Sequence, residues 1–486
     1  MLSIEQLYAE ALRGGEDNSP LATDGYKFAM AQAGFPLRHE EFYLHYRKGG
    51  PLFIPFDFAQ VVKALRPRLP NTREQGFLTT HGYGMTPAME AAIQGDLKVW
   101  TQPKGTWANE NEPLVVPSGP SFLVSWLEPL LIAFNFPMQV ATALLDGVRD
   151  FTASCNDEAH IIRLVWASLV EQRLTPLRDT LQIKVSDSYL ESLKKRLDNL
   201  KSTVPDMNQV FDVGMRGMTC MEQHRLVVSA CKEAGITRTS NVKLAYELYL
   251  IPVGTTGHEH QQRHGRDIEG FRAIRDQRPE PPSYLFDTYD PEWTGSGNDI
   301  GIPAAISVML EDPNRRCSVR FDSGDQERQL QKFVEAQNEH DLNFFYLFMD
   351  GYDDTRVWRM CIYAETLGVS VSDCHFGIGG YLVCDPLNPY TRNKVAMVYK
   401  LCQSGGSGVG CAVRKYSGTA GKASIAGHPR VAIDEHGQRV IYQEGESPYN
   451  PRTLTKAPRP VTFTIQSPGT LALNRTCTLR DFKPSN

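Results

Sequence analysis

An arginine and two carboxylates occur together at the end of an apolar run, in SVRFDSGD at 318–325. Arg320 can bind phosphate oxygens through two parallel hydrogen bonds, while Asp322 and Asp325 can accept hydrogen bonds from hydroxyls or hold the water shell of Mg²⁺. Other acids follow neighbouring runs, at Asp287, Asp290 and Asp350. The pattern favours a site for a substrate that carries phosphate and hydroxyl groups. The alternative is a structural arginine–aspartate pair beside an acidic turn.

Glycines and one histidine supply the remaining chemistry. The sequence FGIGG at 376–380 would let backbone N–H groups approach a phosphate, although a plain tight turn has the same composition. His258 follows VGTTG and begins a helical pattern, where an imidazole can act as a general base or a nucleophile. His260 and His264, four residues apart, could instead bind zinc. Zinc is the weaker hypothesis, because the sequence there lacks the HExxH order and a nearby cysteine pair.

Strands that alternate with helices must position these residues. Apolar runs of strand length begin at about 249, 283, 318, 344 and 368, and helical patterns fill the intervals between them. This alternation predicts parallel βα units. Residues that follow parallel strands gather at one rim of such a fold, so the histidine, acids, arginine and glycines are expected to meet there.

The chain divides by pattern into four regions. Residues 1–120 read as a loop-rich sheet region, residues 121–203 as a helical segment packed on the main body, and residues 204–400 as the α/β region. Residues 401–486 are again strand-like and loop-rich. They are predicted to form a second domain together with the N-terminal region.

Composition limits the class of protein. The 486 residues include 51 Lys plus Arg and 56 Asp plus Glu, which gives a net charge of −5. Proteins whose main function is to bind nucleic acid usually have an excess of basic residues, so this class is not expected. The ten cysteines form no CxxC pair, which predicts reduced thiols in a cytoplasmic protein. The most apolar stretch, 121–140, is interrupted by Glu128, Pro129, Asn135 and Pro137. It is therefore predicted to be buried core, with no membrane span.

Seven motifs occur in an order that resembles the nicotinate and nicotinamide phosphoribosyltransferases. They are ATDGYK (22–27), FNFPMQVAT (134–142), DVGMRG (212–217), TSNV (239–242), GTTGH (254–258), RFDSGD (320–325) and FGIGGYL (376–382). The resemblance implies an irregular TIM-like phosphoribosyltransferase barrel with a second mixed α+β domain built from both chain ends. It also implies a homodimer with sites at the interface, and the use of Mg²⁺ and of ATP as co-substrate.

The implied reaction joins a pyridine base to 5-phosphoribosyl 1-pyrophosphate and releases pyrophosphate, giving a mononucleotide for NAD salvage. Breaking the bond at the anomeric carbon leaves an oxocarbenium-like centre. Such an enzyme must neutralise pyrophosphate with Mg²⁺ and basic residues and must oppose the positive sugar with carboxylates.

The resemblance also implies roles for individual residues. Tyr26 is similar to the aromatic residue that reaches across the dimer to stack on the pyridine ring, and Asp24 supports that segment. Arg47 resembles a residue of the neighbouring subunit that contacts the pyrophosphate. Arg216 resembles a residue that lies beside the base and the phosphate. His258 matches the histidine that ATP phosphorylates in this family.

The other implied contacts belong to the phosphoribosyl donor. Arg320 and Asp322 would bind the ribose and pyrophosphate. Asp287 and Asp350 lie at neighbouring positions of the predicted rim. The 5′-phosphate would be bound by glycines, namely Gly351, Gly379 and Gly380.

Two positions bear on the base. Val213 stands where the family usually has a phenylalanine, so stacking on the base would be one-sided and weaker by about 0.5–1.5 kcal/mol. Ser240 stands where the nicotinamide-using relatives place an aspartate. Because Ser240 and its neighbours Thr239 and Asn241 are neutral hydrogen-bond donors, the segment is expected to favour the carboxylate of nicotinate. The alternative is that these three residues only cap a turn.

Other functions stay open at this point. A nicotinamide phosphoribosyltransferase is the second hypothesis within the enzyme class. A decarboxylating quinolinate enzyme shares the barrel but is typically shorter and lacks the histidine turn. The hypothesis from another class is a ligand-binding paralogue without catalytic activity. Val213, in place of the usual phenylalanine, would be the first sign of such a loss of activity.

Overall fold

The computed structural model describes most of the chain. The described residues are 2–175, 180–295, 297–386, 388–406, 409–413, 424–434 and 438–444. Much of the predicted C-terminal region 401–486, including its final residues, lies outside them.

A seven-stranded parallel sheet forms the α/β region. In spatial order its strands are Ile251–Pro252, Arg238–Thr239, Val210–Asp212, Cys374–Ile378, Phe344–Phe348, Cys317–Phe321 and Ser283–Leu285. Every pair of neighbours is parallel. The sheet is curled like half a barrel, and among the described residues its two outer strands do not pair with each other. The predicted α/β class and parallel βα units are thereby confirmed.

Helices connect these strands. They span Met221–Glu233, Val242–Leu248, His258–His264, Asp267–Gln277, Gly301–Glu311, Gln326–His340 and Asp354–Thr366. Two short helices, Gly380–Val383 and Arg392–Val395, follow the last strand of the sheet. Short polar side chains fix where several of them begin. The Asp325 carboxylate accepts a hydrogen bond from the backbone N–H of Arg328, and Asn241 accepts one from Leu244. Both satisfy N–H groups that have no partner within the helix.

Both ends of the chain meet in a second, antiparallel sheet. Its strands in spatial order are Val409–Ala412, Val398–Gly406, His39–His45, Val115–Pro120 and Lys98–Thr101. Smaller pairs are Leu52–Phe53 with Trp107–Ala108, and Pro429–Ile433 with Arg439–Gln443. The pairing of His39–His45 with Val398–Gly406 joins the two ends as the sequence suggested. The four-region division itself stays a prediction.

The N-terminal region contains more helix than the loop-rich sheet predicted from the sequence. Its helices are Ile4–Arg13, Gly25–Gln32, Phe58–Ala64, Thr72–Thr80 and Pro87–Gln94. Side-chain caps define several of their starts. Asn71 and Glu74, for example, form a capping box at Thr72–Thr80.

The segment 121–203 is mainly helical, and residues 121–140 are buried throughout. Its helices are Ser121–Trp126, Glu128–Ile132, Asn135–Leu145, Asn156–Glu171 and Ser188–Lys201. It also contains a parallel strand pair, Asp150–Ala153 with Gln182–Val185, that was not predicted. Residues 128–145 are long and apolar enough to cross a membrane by length and composition, but 83% of this window is buried inside the protein. Burial of this broken apolar stretch is as predicted.

The described cysteines are all free thiols, and each of them except Cys411 is buried. This matches the prediction of reduced thiols. Cys477 lies outside the described residues.

Candidate active site

A cavity of about 390 Å³ lies at the carboxyl ends of the parallel strands, and a second of about 740 Å³ adjoins it. Val213, Arg216 and Asp322 line both cavities. Most of the predicted site residues line one or both of them, namely Asp24, Tyr26, Arg47, Val213, Arg216, Ser240, His258, Arg320, Asp322, Asp350, Gly351, Gly379 and Gly380. The rim predicted from strand ends therefore exists, and it brings these residues together.

The predicted acids do not all reach the cavities. Asp287 is buried behind His258, and its Oδ2 accepts a hydrogen bond from the Ser323 hydroxyl. Asp325 caps a helix, and Asp290 accepts a hydrogen bond from the N–H of Glu292. Neither Asp325 nor Asp290 lines the two cavities. Asp322 is thus the acid of the RFDSGD motif that faces the cavities.

Two glycines let the N-terminal segment reach the cavity of its own chain. A Cβ atom on Gly25 would lie 2.5 Å from the carbonyl oxygen of Val253, and one on Gly254 would lie 2.0 Å from the backbone nitrogen of Tyr26. Both distances are impossible for a real side chain, so only glycines allow this contact between backbones. The contact places Tyr26 against the GTTGH turn. Arg47 reaches the same cavity and donates its backbone N–H to the carbonyl oxygen of Val395.

A buried group of charges beside Tyr26 was missed by sequence reasoning. The Tyr26 hydroxyl donates to Glu128 Oε2 at 2.5 Å, and Lys27 Nζ lies 2.5 Å from the same oxygen and 2.8 Å from Glu259 Oε1. Burial alone would raise the pKa of Glu128, but Lys27 and Arg216 lower it to about 2. Glu128 therefore stays ionised and holds the Tyr26 ring. The available signal was a lone glutamate within the most apolar stretch of the sequence.

Asp24, Ser240 and Arg216 lie at one end of the smaller cavity. The Ser240 hydroxyl donates to Asp24 Oδ1 at 2.7 Å, and Arg216 Nε lies 3.8 Å from Asp24 Oδ2. Burial raises the pKa of Asp24 to about 6, although Arg216 and Ser240 act in the opposite direction. The single hydroxyl hydrogen of Ser240 is therefore already donated, so this group offers a ligand only an acceptor while that bond lasts.

The residues on either side of Ser240 have structural roles. The Thr239 hydroxyl donates to Asp212 Oδ2 at 2.6 Å, and Asn241 caps the helix Val242–Leu248. The interpretation in which all three residues offer donors to a substrate carboxylate is thus wrong for this structure. The turn-capping alternative holds for Asn241.

His258, Arg320 and Asp322 form the densest polar group in the cavity. His258 Nε2 lies 3.4 Å from Asp322 Oδ2, and its Nδ1 lies 3.1 Å from Thr288 Oγ1 and 4.0 Å from Asp287 Oδ1. Arg320 donates to Asp322 Oδ1 at 2.7 Å and to the Thr255 hydroxyl at 2.8 Å. The group combines an imidazole, a guanidinium and a carboxylate whose positions are fixed by direct contacts.

The other histidines of this helix turn away from the cavities. His260 is fully buried, its Nε2 lies 2.9 Å from the carbonyl oxygen of Gly270, and burial lowers its pKa to about 3. The His264 ring packs against Phe35 at 5.2 Å. Among the described residues, the one cluster with metal-ligand spacing is His258 with Asp287 and Asp322. The structure does not support a zinc site at His260 and His264.

Glycine turns line the larger cavity. Asp350 and Gly351 have consecutive positive φ angles of 69° and 75°, which form a tight turn after the strand Phe344–Phe348. A Cβ atom on Gly379 would lie 2.9 Å from the carbonyl oxygen of Val213. Gly379 therefore allows the two cavity-lining loops to approach each other closely.

Comparison with known proteins identifies the relatives of this fold. The model of the nicotinate phosphoribosyltransferase (NAPRTase) family matches residues 208–427. No curated protein matches the chain. Among solved structures, the chain is similar to a nicotinate phosphoribosyltransferase from Porphyromonas gingivalis, with 19% identity, a TM-score of 0.57, and coverage of 84% of this chain and 95% of that one. It is also similar to one from Vibrio cholerae, with 19% identity, a TM-score of 0.56, and coverage of 84% and 90%.

The solved structures agree in fold, and the family model adds a match in sequence. The matched range contains the whole seven-stranded sheet together with His258, Arg320 and Asp322. Asp24, Tyr26 and Arg47 lie outside it. The resemblance seen in the motifs is confirmed, since residues 208–427 match the model of the nicotinate phosphoribosyltransferase family.

Proposed function

We propose that this protein is a nicotinate phosphoribosyltransferase that forms nicotinate mononucleotide and pyrophosphate from nicotinate and 5-phosphoribosyl 1-pyrophosphate, for NAD salvage. The observation that carries the proposal is the group of His258, Arg320 and Asp322 in one cavity, within the range that matches the family. Tyr26 supplies an aromatic face in the same cavity, and Gly379 lines the adjoining one.

The transfer step replaces one bond at the anomeric carbon of the donor with another. The bond to the pyrophosphate oxygen breaks, the electron pair leaves with pyrophosphate, and the pyridine nitrogen forms the new bond. Asp322 is placed to oppose the positive charge that develops on the sugar, and Arg320 to bind the departing phosphate oxygens. Fixed charges held in a cavity stabilise such a transition state without having to reorganise.

The residues present fit Mg²⁺ as the family resemblance implies. Ligand atoms of His258, Asp287 and Asp322 lie within 4.8 Å of one another. Mg²⁺ sites typically use one or two carboxylates and complete the shell with water and substrate phosphates. When bound, Mg²⁺ would supply neutralisation of the pyrophosphate charge. Asp322, which lines the cavity, is the carboxylate placed to hold it, while Asp287 lies buried behind His258.

We also propose that ATP phosphorylates His258. The histidine begins the helix His258–His264 and lines the cavity, and Thr288 and Asp322 hold its ring on opposite sides. A phosphorylated imidazole would lie in the cavity that Arg320 also lines, and its hydrolysis would couple ATP consumption to product formation.

Product analysis tests the proposed reaction. The protein is incubated with the phosphoribosyl donor and Mg²⁺, with nicotinate or nicotinamide, each with and without ATP, and the mononucleotide is identified by mass spectrometry. Nicotinate mononucleotide as the main product supports the proposal. Nicotinamide mononucleotide would identify the nicotinamide-using relative instead, and no product with either base would indicate a silent paralogue.

The resemblance implies a homodimer with sites at the interface, and we propose a homodimer in which Tyr26 and Arg47 act in the site of their own chain. Tyr26 and Arg47 both line the cavity of their own chain, so no neighbour is needed to bring them there. Mixing inactive Tyr26→Ala, Arg47→Ala chains with inactive Asp322→Asn chains is therefore expected to restore no activity. Partial recovery after verified subunit exchange would show that these residues act across an interface.

Replacing Val213 with phenylalanine is expected to tighten base binding. Val213 lines the cavity with Tyr26, so a ring there would add a second aromatic face. The gain should be about 0.5–1.5 kcal/mol, or about twofold to tenfold in the KM for the base. Val213→Leu is the control, since it adds bulk without a ring. An equal gain from both variants would contradict the stacking argument.

A further inference from the structure

A helix outside the parallel sheet holds the glycine turn of the larger cavity, Gly379 and Gly380. This helix, Ser188–Lys201, packs against the short helix Gly380–Val383 that begins at the turn. Its buried leucines are Leu193, Leu197 and Leu200. On the same helical face lies Arg196, which is only 7% exposed. Burying a charge is costly unless the charge is paired, so the partners of Arg196 are informative.

Arg196 binds carbonyl oxygens at the end of the short helix. Its Nη1 donates to the carbonyl oxygen of Tyr381 and, at 3.2 Å, to that of Leu382. Its Nε donates to the carbonyl oxygen of Ser192 in its own helix at 3.3 Å. The last carbonyl groups of a helix have no partner within the helix and carry partial negative charge, so a guanidinium is a favourable partner for them. One side chain thus joins two helices that are far apart in the chain.

The next carbonyl group of the short helix is held in a similar way. The Tyr189 hydroxyl donates to the carbonyl oxygen of Val383 at 2.9 Å, and Gln223 Nε2 donates to the same oxygen at 3.0 Å. Tyr189, Gln223 and Arg196 are all buried, and none of these three side chains lines either cavity. The glycines at the start of the short helix do line the larger cavity. The three side chains can therefore act on a ligand only through the position of the glycine turn.

We propose that Arg196 is a positioning residue for the 5′-phosphate of the phosphoribosyl donor. The inference rests on the proposed function, for which the family resemblance assigns that phosphate to the glycine turn. Because a charged side chain holds the carbonyl end of the short helix, the turn keeps one position before the donor binds. Without Arg196, part of the binding free energy of the phosphate would be used to order the turn.

The effect of Arg196 is expected at one end of the donor only. The base and the pyrophosphate are assigned to side chains of the smaller cavity, chiefly Tyr26, Arg320 and Asp322. Loss of Arg196 should therefore weaken the binding of the 5′-phosphate and leave the binding of base and pyrophosphate almost unchanged. A residue that only stabilised the fold would weaken the binding of all three groups alike.

The test compares the wild type with Arg196→Gln by isothermal titration calorimetry. One ligand is ribose 5-phosphate, which carries the 5′-phosphate without pyrophosphate, and the other is magnesium pyrophosphate. Glutamine lacks the charge and is too short to join the two helices, so the Kd of ribose 5-phosphate should rise about tenfold. The Kd of pyrophosphate should stay within about twofold. In steady-state kinetics the KM for the donor should likewise rise about tenfold, with the KM for nicotinate within about twofold.

Lys195→Met is the matched control, because it removes a positive charge from the exposed side of the same helix. It should behave like the wild type. Thermal unfolding verifies that each variant is folded. A Kd of ribose 5-phosphate in Arg196→Gln within about twofold of wild type, or an equal loss of affinity for both ligands, would overturn the inference.

Arg196→Lys decides the matter if Arg196→Gln does not fold. Lysine keeps the charge but lacks the planar group that donates to both helices, so the Kd of ribose 5-phosphate should rise about threefold. An unchanged Kd in this variant would overturn the inference. Absence of a mononucleotide product with either base would instead refute the proposed function, and the two binding measurements do not depend on that result.

Discussion

Replacing Asp322 with asparagine is expected to lower kcat by about 10²–10³-fold while the fold stays intact. The carboxylate lies 3.4 Å from His258 Nε2 and accepts a hydrogen bond from Arg320 at 2.7 Å. Asparagine can still accept from Arg320 through its amide oxygen, so the arginine stays in place. What disappears is the negative charge that opposes the oxocarbenium-like sugar, and this charge matters more in the transition state than in the bound substrate.

The measurement is steady-state kinetics together with thermal unfolding of both proteins. Asp325→Asn is the matched control, because Asp325 lies three residues further on and caps the helix Gln326–His340, a task that asparagine performs equally well. It should behave like the wild type. Near-normal kcat in a folded Asp322→Asn variant would contradict the role assigned to this carboxylate.

His258→Ala is expected to lose ATP hydrolysis and the stimulation of product formation by ATP, while slow base transfer continues. In the proposed step the γ-phosphoryl group moves to an imidazole nitrogen, the bond to the β-phosphate oxygen breaks, and ADP leaves. Water later cleaves the nitrogen–phosphorus bond. Alanine has no nucleophile, so ATP hydrolysis should fall by at least about 10²-fold. Transfer itself should continue because Arg320, Asp322 and Tyr26 remain.

Mass spectrometry after exposure to ATP tests the site of the label, under mildly alkaline conditions that preserve phosphohistidine. The label should be found on His258 in the wild type and should persist in His264→Ala, because His264 packs against Phe35 outside the cavity. A label on His260 or His264, or none, would argue against the proposed ATP coupling.

The residues that follow the parallel strands could be predicted from sequence. Five of the seven strands of the α/β region lie in apolar runs that end in polar residues or glycines, and parallel strands place those ends at one rim. That rule was sufficient to bring His258, Arg320 and Asp322 together. It was less reliable within a turn. Asp322 and Asp325 looked equivalent in RFDSGD, but only Asp322 faces the cavity, because Asp325 is used to begin a helix.

Contacts between segments far apart in the chain were decided by the tertiary structure. Tyr26 reaches the cavity of its own chain because Gly25 and Gly254 allow two backbones to touch, and no local pattern encodes that approach. Ser240 looked like a free donor, but its hydroxyl is donated to Asp24, 216 residues away.

The buried pairing of Lys27 with Glu128 and Glu259 was likewise invisible in any one segment. Hydrophobic period and strand spacing are local properties, so they indicate which residues reach the rim. Burial and hydrogen-bond partners depend on the packing of distant elements. Only that packing determines which charges are already neutralised and which remain for a ligand.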